Sequence, residues 1–181
     1  SEIVLGGTSS LIIKNRAGKI SDISLRSDIL RQNSLLNIAS SSRLTLLRTQ
    51  FRSAGPLISG SNFNLEASFS MFTSGQQAIE AKDAKIFLND CILGQYPGSL
   101  VLPEQNSIYL ERSQLEGRRI RLSLNVGRFV RAMVFKDSQV SFSESGFTLF
   151  AEDLGRLIDA QGGSCQDRKS TRLNSSHITI S

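Results

Sequence analysis

Few residues in this chain could do chemistry. The single histidine is His177, so residues 1–166 hold none. That closes Ser–His and Cys–His nucleophilic arrangements and histidine metal sites to that stretch. The two thiols, Cys91 and Cys165, cannot by themselves build a four-thiolate zinc site. In an oxidising compartment they could pair, and a loop of that length would contribute about 4 kcal/mol through lost chain entropy. The competing reading is one buried and one exposed free thiol. Asp83 and Asp90 flank a predicted strand, and Glu152 and Asp153 are adjacent. No pattern sets two carboxylates across a cleft, so general acid–base catalysis finds no support. Phosphate-loop and G-x-G-x-x-G patterns are absent, and no cofactor is implied. Arg118, Arg119, Arg121, Arg128 and Arg131 form the densest basic group. On an alternating strand Arg119 and Arg121 share a face and could bind an anion. Nearby Glu111 and Glu116, and a lack of stacking aromatics, make nucleic acid a poor fit. A charged sheet face that resists edge-to-edge aggregation is the ordinary alternative.

The elements that must position these residues read as strands. From Ser61 to Met71, Phe63, Leu65, Ala67, Phe69 and Met71 alternate with polar residues, which predicts a half-buried strand. Arg118 to Val126 repeats the pattern, with Ile120, Leu122, Leu124 and Val126 on one side. Phe129 to Lys136 is apolar on both faces and reads as a central strand. Shorter candidates lie between turn signals such as Gly55-Pro56, Tyr96-Pro97-Gly98 and Ser145-Gly146. Leu154, Leu157 and Ile158 fall at helical spacing, so one short helix is expected near Glu152–Ala160. A loose recurrence links Ile23 to Ser27, Ile108 to Ser113 and Ile120 to Leu124, and it suggests similar β-rungs. The expected fold is mainly β, a multi-stranded, mostly antiparallel twisted sheet arranged as an open groove, a sandwich or a solenoid.

The chain has 181 residues, a net charge of +5 and 39% hydrophobic residues. That suits a domain with a real core and excludes an acidic disordered tail or a collagen-like repeat. The sequence contains no apolar run long enough for a membrane helix. The C-terminal string Asp167 to His177 resembles the in-frame translation of a sequencing-library adapter, and Ile178 to Ser181 would then be index sequence. On that resemblance residues 167–181 are expected to be a non-native, disordered tail. Setting aside Asp167, Arg168, Lys169 and Arg172 lowers the net charge from +5 to +3. Residues 1–166 are expected to form a single β-rich domain or part of a larger one.

Ile120 to Gly162 resembles the AsmA-like envelope proteins of Gram-negative bacteria. The resemblance is carried by short β-rungs and by Asp153, Gly155, Leu157, Ile158 and Gly162. It implies a twisted β-groove, apolar inside, in lipid transport or outer-membrane assembly, with acyl chains or other envelope proteins as partners and the envelope or periplasm as location. It carries over no catalytic residue. Phe63, Leu65, Phe69, Ile120, Leu122 and Leu124 would line that groove, or would simply be core. The leading expectation is a non-enzymatic envelope fragment. Its rivals are a structural module of an extracellular assembly, such as a phage tail, surface fibre or adhesin, and an enzyme whose active site lies outside this stretch.

Overall fold

The computed structural model describes residues 2–5, 9–14, 17–29, 32–96, 107–126, 131–151, 156–168 and 171–174. Among them every regular element is a strand and every strand pair is parallel. The chain winds as a β-solenoid. A first coil holds β1 (Glu2–Val4), β2 (Leu11–Ile13) and β3 (Gly18–Ser21). Five turns follow. They comprise β4 (Ser24–Ser27), β5 (Leu36–Ile38) and β6 (Arg43–Leu47); β7 (Gln50–Ser53), β8 (Ile58–Ser61) and β9 (Asn64–Ser68); β10 (Met71–Ser74), β11 (Ile79–Lys82) and β12 (Lys85–Asn89); β13 (Ile92–Gln95), β14 (Ile108–Glu111) and β15 (Gln114–Arg118); and β16 (Arg121–Val126) with the long β17 (Arg131–Ser143). Above them lie β18 (Gly146–Ala151), β19 (Arg156–Arg168) and β20 (Thr171–Asn174).

The stacked strands form three faces. The first runs β1-β4-β7-β10-β13-β16-β18-β20. The second runs from β2 through β5, β8, β11 and β14 to the first half of β17, and the third from β3 through β6, β9, β12 and β15 to its second half. β17 therefore joins two faces into one sheet, and β19 pairs along its whole length. Each turn is set by register: Gln50 pairs with Met71, Met71 with Ile92 and Ile92 with Arg121.

Inward side chains stack in columns. Leu25, Phe51, Phe72, Leu93, Leu122 and Phe147 line the first face, and Leu36, Ile58, Ile79, Ile108, Met133 and Ile158 the second. All are 2% exposed or less. The Phe51 and Phe72 rings stack at 5.9 Å, a geometry that adds to the burial term.

The corners explain why these strands do not form hairpins. Between the third face and the next coil's first face, Asp22, Arg48, Phe69, Asp90, Arg119 and Glu144 all have positive φ. Between the second and third faces Ser41, Asn62, Asp83, Arg112 and Asp137 do the same. One left-handed residue bends the strand and resets its inside–outside alternation, so the chain turns onto a new face instead of reversing. The residue after the bend is often a buried serine. Ser113 Oγ donates to Glu111 O at 2.8 Å and accepts the Ala84 N–H at 3.0 Å. Ser138 Oγ donates to Lys136 O at 2.7 Å and accepts the Ser113 N–H at 3.1 Å. Ser145 and Ser70 repeat this at the other corner. Each hydroxyl thus satisfies two backbone groups that the bend leaves inside the solenoid. Gly162 continues the second corner column at φ 72, and a Cβ there would lie 2.4 Å from Asp137 Oδ1.

Several expectations need correction. The sheet is parallel, not mostly antiparallel, because period-two alternation is the same in both arrangements and only the corners distinguish them. No helix occurs among the described residues. Arg156–Ala160 lies in β19, and Glu152–Gly155 falls outside the described residues. Helical spacing there loses to pairing with β17. Ser61 to Met71 is not one strand but the end of β8, all of β9 and the start of β10. Residues 167–181, expected to be a tail, are described only at Asp167 and Arg168, which lie in β19, and at Thr171–Asn174, which forms β20 against β18; the others lie outside the described residues. An open parallel edge offers backbone partners to any extended chain.

Candidate functional site

The strongest surface feature is a shallow groove along the outside of the first face, beside its corner with the third. Its rim is the positive-φ column, whose charged side chains alternate in sign on either side of the neutral Phe69. Arg48 reaches Asp22 with Nε–Oδ1 at 2.6 Å and Nη2–Oδ2 at 2.9 Å. Arg119 grips Asp90 through two bonds of 2.6 Å, takes a third to Asn89 Oδ1 at 3.1 Å and approaches Glu144 at 3.8 Å. These bidentate bonds hold the Asp22 and Asp90 carboxyls below the usual carboxylate range and raise the guanidiniums above theirs. At the other corner Arg112 binds Asp83 at 2.8 and 3.0 Å in the same way. The pairs join residues 26 to 29 positions apart, so each ties one coil to the next.

The groove floor changes along its length. In the middle it is apolar: Phe69 is 61% exposed, Met71 39% and Ile92 41%. Further along it widens to about 630 Å³ between Ile92, Gly94, Arg121, Ser123, Gly146 and Thr148. Strand pairing sets these six in two columns, Ile92–Arg121–Gly146 and Gly94–Ser123–Thr148.

The residues singled out from sequence divide sharply. Phe63, Leu65, Ile120 and Leu122 are core residues, 3% exposed or less. They do not share one face, since Leu65 is on the third and Leu122 on the first, and Phe69 points outward because its own positive φ turns it. Leu124 lies on β16, and its side chain is outside what the structure describes. Arg119 and Arg121 do line one groove, but their roles differ. Arg119 is consumed by Asp90, whereas Arg121 makes no ion pair among the described residues. Cys91 and Cys165 are not joined by a disulfide. Cys91 follows β12, and Cys165 lies on β19, three strand positions up the same stack. At about 4.8 Å per strand that is about 14 Å, beyond disulfide reach. Cys91 is fully buried, and burial raises its thiol pKa, so it is a core residue in its reduced form. Among the described residues no three His, Cys, Asp or Glu side chains gather to hold a metal.

Sequence reasoning missed Gly94, Gly146, Ser123 and Thr148. Their signal was present but needed the turn register: a glycine in an outward strand position, stacked against a lone arginine. The chain matches no family model, no curated protein and no solved structure.

Proposed function

We propose that this chain is a non-enzymatic, rigid β-solenoid module of an extracellular or envelope-surface assembly. The carrying observation is the filled interior. A single apolar cluster runs unbroken from Leu25 to Ile158, coil upon coil. Such a stack depends on nearest-neighbour interfaces and is extended by adding coils. Its first coil exposes a strand edge along which such a stack extends, by more of the same chain or by another. β1, β2 and β3 each have a strand neighbour on one side only among the described residues. Ile3, Val4 and Ile12 there are 46, 65 and 52% exposed. An apolar, unpaired strand edge favours addition of further β-structure.

Sedimentation velocity over a wide range of concentration tests this reading. Association that grows with concentration, and that Ile3→Lys or Val4→Lys reduces, supports it. A monomer that stays the same at all concentrations would count against it.

A second reading, lipid handling in the bacterial envelope, draws on the outer strip of Phe69, Met71 and Ile92. Acyl chains would lie on that strip, since the interior is occupied by side chains. Vesicle flotation with wild type and Phe69→Ser separates the two readings: binding that depends on Phe69 favours the lipid one.

A further inference from the structure

The wide end of the groove is built around two glycines that the backbone does not require. Neither Gly94 nor Gly146 has positive φ. A Cβ on Gly146 would meet nothing within 4 Å, and one on Gly94 only Thr73 Oγ1 at 3.9 Å. Glycine inside a strand costs stability through chain entropy and lost packing. Here the backbone would accept a side chain at both positions, and the sequence places none. The effect is to clear space on either side of the Arg121–Ser123 row. Strand spacing makes the cleared patch about 10 Å by 7 Å, the size of one or two sugar rings.

The chemistry around the patch narrows the ligand. Arg118, Arg119 and Arg121 face two carboxylates, Asp90 and Glu144, and Arg118 and Arg119 are the ones that contact them. Among the described residues the guanidinium of Arg121 makes no ion pair, which leaves it for a carboxylate from outside. Ser123 and Thr148 add hydroxyls that both donate and accept. Ile92, Met71 and Phe69 continue the floor as an apolar strip. A peptide strand is a poor occupant, because the backbone groups of this face are used by pairing between coils and cannot extend a sheet outward. A hydroxyl-rich, carboxylated chain uses all the groups present. It needs a charged fork, hydroxyl partners, flat backbone and a strip for its ring C–H faces.

We infer that this groove binds an acidic glycan, with its carboxylate on Arg121 and a sugar ring in the space left by Gly94 and Gly146. The inference uses the reading as a surface module only for where such a glycan would be met. The sedimentation test and the binding test below can therefore fail separately.

Isothermal titration of the purified full chain with a galacturonate hexamer, a glucose hexamer and a glutamate hexamer tests it. The galacturonate probe is expected to bind at least about tenfold more tightly than either of the others. Loss of one charge-assisted carboxylate contact in Arg121→Gln is expected to weaken it by about tenfold to a hundredfold. Gly146→Val fills the cleared space and is expected to abolish binding. Both variants are expected to keep the wild-type melting curve, because Arg121 is exposed and position 146 has room. No binding of galacturonate overturns the inference. So does unchanged affinity in Arg121→Gln or in Gly146→Val. Equal affinity for the glutamate hexamer overturns the sugar part and leaves a general carboxylate site.

Discussion

Phe69 and Phe72 give the sharpest test of the fold. Simple alternation across Ser61 to Met71 puts Phe69 in the core and position 72 on the polar side. The positive φ of Phe69 reverses that order. Phe69 becomes 61% exposed, and Phe72 is fully buried and stacked on Phe51. Phe72→Ala removes a buried ring and leaves a cavity, at a cost of about 3–5 kcal/mol. Loss of the Phe51 stack contributes about 0.5–1.5 kcal/mol beyond area burial. Phe69→Ala is expected within about 0.5 kcal/mol of wild type, as for an exposed site. Equilibrium urea unfolding of both variants measures the difference, with the m-value checking that the unfolded state is unchanged. A Phe51→Ala/Phe72→Ala double mutant then gives the coupling between the rings. If Phe69→Ala proves the costly change and Phe72→Ala the mild one, the corner at Phe69 is wrong and the chain pairs as a flat sheet.

Two further outcomes follow from the corners. Ser138→Ala leaves the buried Ser113 N–H without its acceptor and should cost about 1–3 kcal/mol in the same unfolding assay; a loss under about 0.5 kcal/mol would show that the hydroxyl is dispensable. Asp22, Asp83 and Asp90 are held below the ordinary carboxylate range by their arginines. The stability they confer is complete above the unfolded-state aspartate pKa of about 3.9, and it fades as pH falls through their lower folded values. The contribution of these pairs to the melting temperature should therefore stay constant between neutrality and about pH 5 and decline below about pH 4. The Asp83→Asn/Asp90→Asn variant should fall less steeply, and an equal slope would refute the role of these pairs.

The sequence alone determined the strand character of the chain and much of its core. Phe63, Leu65, Ile120 and Leu122 alternate with polar neighbours, and all four are buried. That holds because alternation is a local property: side chains on a strand point to opposite sides whatever the strand pairs with. Of the recurring stretches, Ile23 to Ser27 and Ile120 to Leu124 lie along the first face, in β4 and β16, whereas Ile108 to Ser113 lies along the second, in β14. Tertiary structure decided the rest. Strand direction, the strand at Arg156–Ala160 where a helix over Glu152–Ala160 is expected, and the exposure of Phe69 depend on which coil lies above and below, and that is fixed by pairing between residues 21 to 29 positions apart. The groove follows the same rule. Ile92, Arg121 and Gly146 form one column only after the chain has wound past each of them, so no local pattern could bring them together.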